Sequence, residues 1–328
     1  MEKKVYQLQD FAAVKQDGTD VLGKVLYYSL SSVMVDKEKL AELCASTGFP
    51  CLPTRRTALA DAFRSATGDI YERMVLKTDS GPQIFKVYCR DNKAPGGTIS
   101  RELIKETVRE DTNFYKKLAN ISFDKGRGGF SYDNLASDPH VDPLARCLEA
   151  ERLFELYQSC ASRRQIETML ENYLDAMQAV KIARGKIYFV PRDCMAKLEL
   201  FEDFIALLEQ HNQFSRPGRA PMDANSMFVV DDAKQRGKMA AAFCAAACRE
   251  IAEYEDRATH LIQSGCQSPA ILDRLALRIR GLEQKKAHYE EILKQELNEL
   301  AEQFTSLRYL SDELQIRAMG LRNQKNAA

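Results

Sequence analysis

Asp138, His140 and Asp142 alternate along SDPHVDP (137–143), and an extended segment with that spacing could offer carboxylate oxygens and an imidazole nitrogen to a divalent cation. The flanking prolines and the lack of a second ligand cluster favour a polar linker instead. Cys244, Cys248, His260 and Cys266 are four soft ligands of the kind zinc takes. Cys244 and Cys248, however, lie one turn apart in the alanine-rich run MAAAFCAAAC, where close helix packing selects small buried residues. Lys125 and Arg127 stand among Gly126, Gly128 and Gly129, as in a phosphate cradle. Their spacing matches neither nucleotide-binding fingerprint, and no helix start follows to receive an anion, so a hairpin turn is expected. The four histidines (140, 211, 260 and 288) have no nucleophile-elbow or Cys–His context. No catalytic residue, metal ligand or cofactor is therefore assigned, and a non-enzymatic protein is favoured. A hydrolase or nuclease in the N-terminal part would need a pocket gathering side chains such as Asp61, Arg64 and Glu110.

The sharpest binding candidate is AVKIARGKIYFVPRD (179–193). It carries Lys181, Arg184, Lys186 and Arg192 around an Ala-Arg-Gly turn, and Arg163 and Arg164 stand at the start of the preceding helix. Helix, turn, capped helix and two-stranded hairpin is the order of a winged-helix module, whose wing and recognition helix touch nucleic acid. Glu167, Glu171 and Asp175 oppose that use, because they form one acidic stripe along 162–178 that phosphates would repel. Any nucleic-acid contact would fall to the hairpin and the helix start.

The elements that must position these residues can be read from pattern. GKVLYYSLSSVMV (23–35) suits a strand, and residues 36–48 a helix with Asp36 as N-cap and Gly48 just past its end. A second helix is expected over 54–68. Strands follow on either side of Asp79-Ser80-Gly81-Pro82, around 101–110 and around 115–124. Beyond the proline loop, 143–160 is helical, and Ser162 with Gln165 forms a capping box for the next helix. These signals predict an α+β chain: a mixed antiparallel domain over 1–136, a winged-helix-like domain over 143–212, and a linker over 213–230.

The remainder, 231–322, reads as an antiparallel helical hairpin or coiled coil. A first arm over 231–263 breaks at SGCQSP, and the second runs from 270 without proline. Its apolar positions keep a 4–3 spacing through Leu297, Leu300, Phe304, Leu307 and Leu314, with one extra step of four at 293–297. A continuous arm of that length would approach about 80 Å at 1.5 Å per residue. The shorter first arm cannot cover such a seam, so self-association or another protein partner is expected there.

Bulk properties narrow the classes further. The 328 residues carry 47 basic and 47 acidic side chains, a balance that argues against a protein held to long nucleic acid by charge alone. Nine cysteines without a CxxC pair read as reduced, buried thiols. The charged start MEKKVYQLQD leads into no apolar core of a signal peptide, and no run is long enough to span a membrane. A cytoplasmic location is the expectation.

DAFRSAT (61–67), VRE (108–110) and YFVP (188–191), in that order, resemble a family of uncharacterised proteins from bacteria and from mobile elements or phages. The likeness spans roughly 20–210. Where that family places two glycines before the Tyr-Phe strand, this chain has Gly185-Lys186-Ile187. The resemblance implies an accessory role and no particular activity. The expectation is thus an assembly protein joined through its C-terminal seam, with a nucleic-acid-binding accessory protein using the basic hairpin as the alternative.

Overall fold

The computed structural model describes residues 21–30, 33–52, 57–78, 81–108, 112–214 and 220–327. It is an α+β chain with antiparallel sheets and long C-terminal helices, as the pattern predicts. Within the described residues it divides into two compact units. One comprises 21–29, 170–206 and 222–327, and the other 30–169 with 207–214 and 220–221. Residues 54–56, Asp79, Ser80 and Glu110 lie outside the described residues.

The second unit is built on a five-stranded antiparallel meander: β3 (Tyr71–Thr78), β4 (Gly81–Asn92), β5 (Thr98–Val108), β6 (Phe114–Asp124) and β7 (Gly129–Asp133). Alternation sends Val87, Cys89, Leu103, Ile121 and Phe123 to one face, where α2 (Leu59–Asp69) and α3 (Pro143–Ser159) bury them. The β6–β7 hairpin turns through DKGRGG, and Asp124 Oδ1 accepts the Gly126 and Arg127 amides. That glycine-rich stretch is a turn. Helix α1 (Lys37–Thr47) is capped as expected: Asp36 accepts the Glu38 and Lys39 amides, and Gly48 takes the left-handed region at φ 74°.

In the first unit, β1 (Val21–Ser29) sits inside a four-stranded sheet ordered β11–β1–β10–β9. Here β9 is Val180–Ala183, β10 Ile187–Pro191 and β11 Asp223–Val230. Gly23 lies at an irregularity of β1, where an added Cβ would stand 2.1 Å from the Val190 carbonyl oxygen. Only glycine permits that approach.

Two segment assignments change. The stretch 213–230, expected as a linker, contains strand β11, fully paired with β1 from Val21↔Val230 to Ser29↔Asp223. The segments grouped as one winged-helix-like domain over 143–212 are divided between the units: α3 belongs to the second, and the hairpin to the first. The physical reason is that the hairpin's edge is not left free, because β10 pairs along β1 from Gly23↔Pro191 to Tyr27↔Ile187.

The C-terminal part is three helices: α6 (Ala233–Gln263), α7 (Pro269–Leu293) and α8 (Ala301–Ala327). The arm expected to be continuous stops at the extra four-residue step. Lys294 adopts φ 54°, a 3-10 turn spans Asn298–Leu300, and α8 packs on α7 and α6. Glu290 secures the turn by accepting Lys286 Nζ at 2.6 Å and the Leu297 amide at 2.8 Å. Lys294 Nζ is tied to Asp231 Oδ2 at 2.8 Å.

Candidate functional site

The hairpin β9–β10 turns at Gly185, φ 87°, with Lys181 and Arg184 exposed. Lys186 folds back over the ring of Tyr28 at 5.3 Å and lies 3.8 Å from the Glu171 carboxylate. Glu171 and Asp175 of the acidic stripe thus share one unit with the basic hairpin, and Glu171 offsets part of the hairpin's charge. Arg192 is half-buried, and its neighbour Asp193 lies 3.2 Å from His288 Nε2. Arg163 and Arg164 are exposed in the first turn of α4 (Arg163–Ala176) and belong to the other unit. They lie between Ser162 and Gln165, and the Ser162 amide donates to Gln165 Oε1 at 2.8 Å, one of the two bonds of the capping box.

Just before the hairpin, Gln178 occupies the left-handed region at φ 54°. Two side chains of α7 fix this turn: Tyr289 Oη donates to the Gln178 carbonyl at 2.9 Å, and Lys285 Nζ donates to the Ala179 carbonyl at 2.9 Å. Around them lies a cluster of perturbed groups. Burial lowers the Lys285 ammonium and raises the Asp175 carboxyl, and the attraction between the two partly opposes both shifts. Burial likewise raises the Tyr254 phenol, helped by its 2.5 Å hydrogen bond to Glu250. An ammonium and a carboxyl drawn together in pKa are the materials of acid–base chemistry. Here the ammonium is committed to a backbone carbonyl, and its work is to anchor the turn. Sequence inspection missed this cluster because its members lie on α4, α6 and α7, far apart in the chain.

Leu297, Leu300, Phe304, Leu307 and Leu314 are all buried, together with Ser311 and Ala318, in the core formed with α6 and α7. The 4–3 spacing therefore marks a seam closed within one chain. Strand β11, by contrast, is open. It forms the edge of its sheet, carries no charge from Ala224 to Val230, and leaves Met227 59% and Phe228 50% exposed, with Val230 exposed beside them. Natural edges are usually blunted by lysine, proline or a covering element. Among the described residues, Lys24 of β1 lies over the strand, 4.8 Å from the Phe228 ring centroid.

The model of a protein family, described as a family of unknown function (DUF6744), matches residues 21–320. The chain belongs to that family. The matched span of the DUF6744 model takes in the described parts of both compact units as far as residue 320, with the edge strand β11 and the hairpin. No curated protein and no solved structure matches the chain.

The remaining sequence candidates resolve into structural roles. Asp138 accepts Lys105 Nζ at 2.8 Å and Lys116 Nζ at 3.0 Å, so two ammonium groups occupy the carboxylate that was considered for a cation. His140 lies against the Phe85 ring, with 5.5 Å between centroids. Asp61 pairs with Arg64 across one turn of α2, on the surface. Cys244 is buried and Cys248 exposed on α6, and among the described residues no group of three His, Cys, Asp or Glu is placed to hold a metal ion. No helix among the described residues is long and apolar enough to cross a membrane.

Proposed function

We propose that this chain is a non-catalytic assembly protein of the cytoplasm, and that two copies join by antiparallel pairing of their β11 strands. The observation that carries this reading is the uncharged, solvent-exposed edge of β11 with Met227 and Phe228 upon it. A two-fold axis across such an edge makes the contact self-complementary, so each copy satisfies the other's free amides and carbonyls while covering its apolar side chains. This reading places self-association at the edge of the sheet and not at the C-terminal seam, whose apolar residues are buried within the chain. An accessory role in a mobile element or phage belongs to the same proposal and rests on the resemblance alone.

The nucleic-acid alternative finds limited support in the hairpin. The order helix, capped helix, hairpin is kept, but Lys186 is engaged, leaving Lys181 and Arg184 as the outward charges of the turn.

Amide hydrogen exchange on the full chain tests the proposal. Protection of the amides in 223–230 should rise with protein concentration while the helices stay unchanged. Exchange of β11 that is independent of concentration overturns it.

A further inference from the structure

The face of the five-stranded sheet opposite α2 and α3 carries a second surface, independent of the β11 edge. Directly paired residues on neighbouring strands share a face, so the register lays out its rows. Tyr71, Tyr88, Ile104 and Lys117 form one row across β3, β4, β5 and β6. Arg73, Lys86, Glu106 and Tyr115 form the next, and Arg90 with Glu102 a third. Tyr71 is 57% and Tyr115 54% exposed, and Tyr88 is half-buried between them. Three phenol rings thus spread over three strand spacings, about 14 Å.

The charges of this face are sorted. Glu102 is bridged by Arg90 at 3.1 Å and Lys117 at 2.9 Å, and these hydrogen bonds, Lys117 foremost, keep its carboxyl below the usual range. Glu106 is buried, accepts Asn113 Nδ2 at 2.5 Å and lies 3.9 Å from Lys86. Asp124 and Asp133 lie at the far side, on β6 and β7, and accept neighbouring amides. Arg73 and Lys77 on β3 are exposed, without an acidic partner among the described residues. The face is therefore positive along β3 and β4 and aromatic toward its middle, and Arg90 stands 5.9 Å over the Tyr115 ring.

Exposed rings on a sheet with cations along one side are what an unpaired nucleic-acid strand requires: π faces on which bases stack, and charges that follow the phosphates. A duplex hides its base faces and gains nothing from the rings. We propose that this face binds single-stranded DNA, with bases on Tyr71, Tyr88 and Tyr115 and phosphates along Arg73 and Lys77.

Fluorescence anisotropy of the full chain with a labelled 20-mer of oligo-dT at low salt tests the proposal. Binding should be detectable and tighter than to a duplex of equal length. Tyr71→Ala and Tyr115→Ala should each weaken it at least about fivefold, and Tyr71→Phe and Tyr115→Phe should retain it, because stacking needs the ring and not the hydroxyl. Replacing Arg73 and Lys77 with Ala should lower the salt slope by about 0.7 for each phosphate no longer neutralised. Thermal melting of each variant checks folding, and the Phe pair keeps the test decisive if an Ala variant fails to fold. Absence of binding, alanine variants that fold and bind as tightly as the unaltered chain, Phe variants that fold but lose binding, or tighter binding of duplex or of RNA overturns the proposal. So does loss of binding confined to Lys181→Glu and Arg184→Glu, which would place the site on the hairpin.

Discussion

Lys105 Nζ stands 2.8 Å from Asp138 Oδ1, with the two side chains only 6% and 3% exposed, and Lys105 also caps the Phe85 ring at 4.3 Å. Burial alone would raise the Asp138 carboxyl. Hydrogen bonds from Lys105, the His140 amide and Lys116 outweigh it and hold the group at about 2. This pair fastens the SDPHV loop to the meander, which is what the alternating acids of 138–142 turn out to do.

Asp138→Asn should destabilise the chain by about 3 kcal/mol at pH 7, because it leaves the Lys105 charge buried without its partner. Since the folded carboxyl titrates below its unfolded value of 3.8, its stabilisation is complete above about pH 4 and fades as the pH falls toward 2. Urea unfolding from pH 7 to pH 3 checks both statements: the unaltered chain should weaken toward pH 3 more steeply than the variant.

The turn ahead of the hairpin gives an opposed pair of effects. Tyr289→Phe leaves the Gln178 carbonyl without its donor and should cost about 1–3 kcal/mol. Gln178→Gly relieves a left-handed residue and removes a buried Oε1 that has no hydrogen-bond partner among the described residues. It should gain about 0.5–1 kcal/mol net of the added chain entropy. Thermal melts that moved in the same direction for both variants would contradict this account of the turn.

For the C-terminal seam, Leu307→Ala should lower stability by about 2–5 kcal/mol, as for any fully buried leucine. The loss should be the same at all protein concentrations, because Leu307 packs within its own chain. Unfolding midpoints measured over a hundredfold range of concentration decide it. A loss that vanished at high concentration would mean the seam joins two copies.

Local signals were legible and non-local ones were not. Asp36 and Gly48, the Ser162–Gln165 box and the glycine turn at 124–129 act within a few residues, so their chemistry can be read from spacing. Strand β11 was hidden because prolines 217 and 221 precede it, and only its pairing with β1, some two hundred residues away, makes it a strand. The break at Lys294 was hidden for a different reason. Neither glycine nor proline marks it, and α8 needs the same 4–3 stripe folded back that a continuous helix would need straight. The one trace was the extra step at 293–297, which coincides with the turn. The open sheet face was equally unreadable, because Tyr71, Tyr88 and Tyr115 share it only through register.

Sedimentation equilibrium of the full chain beside Met227→Lys tests the central claim most directly. A lysine on the edge opposes strand pairing without disturbing the buried Val229. The unaltered chain should sediment as a dimer and Met227→Lys as a folded monomer. Ile316→Lys, on the exposed outer side of α8, should leave the dimer intact. A monomeric unaltered chain, or a dimer lost only with Ile316→Lys, would contradict assembly through β11.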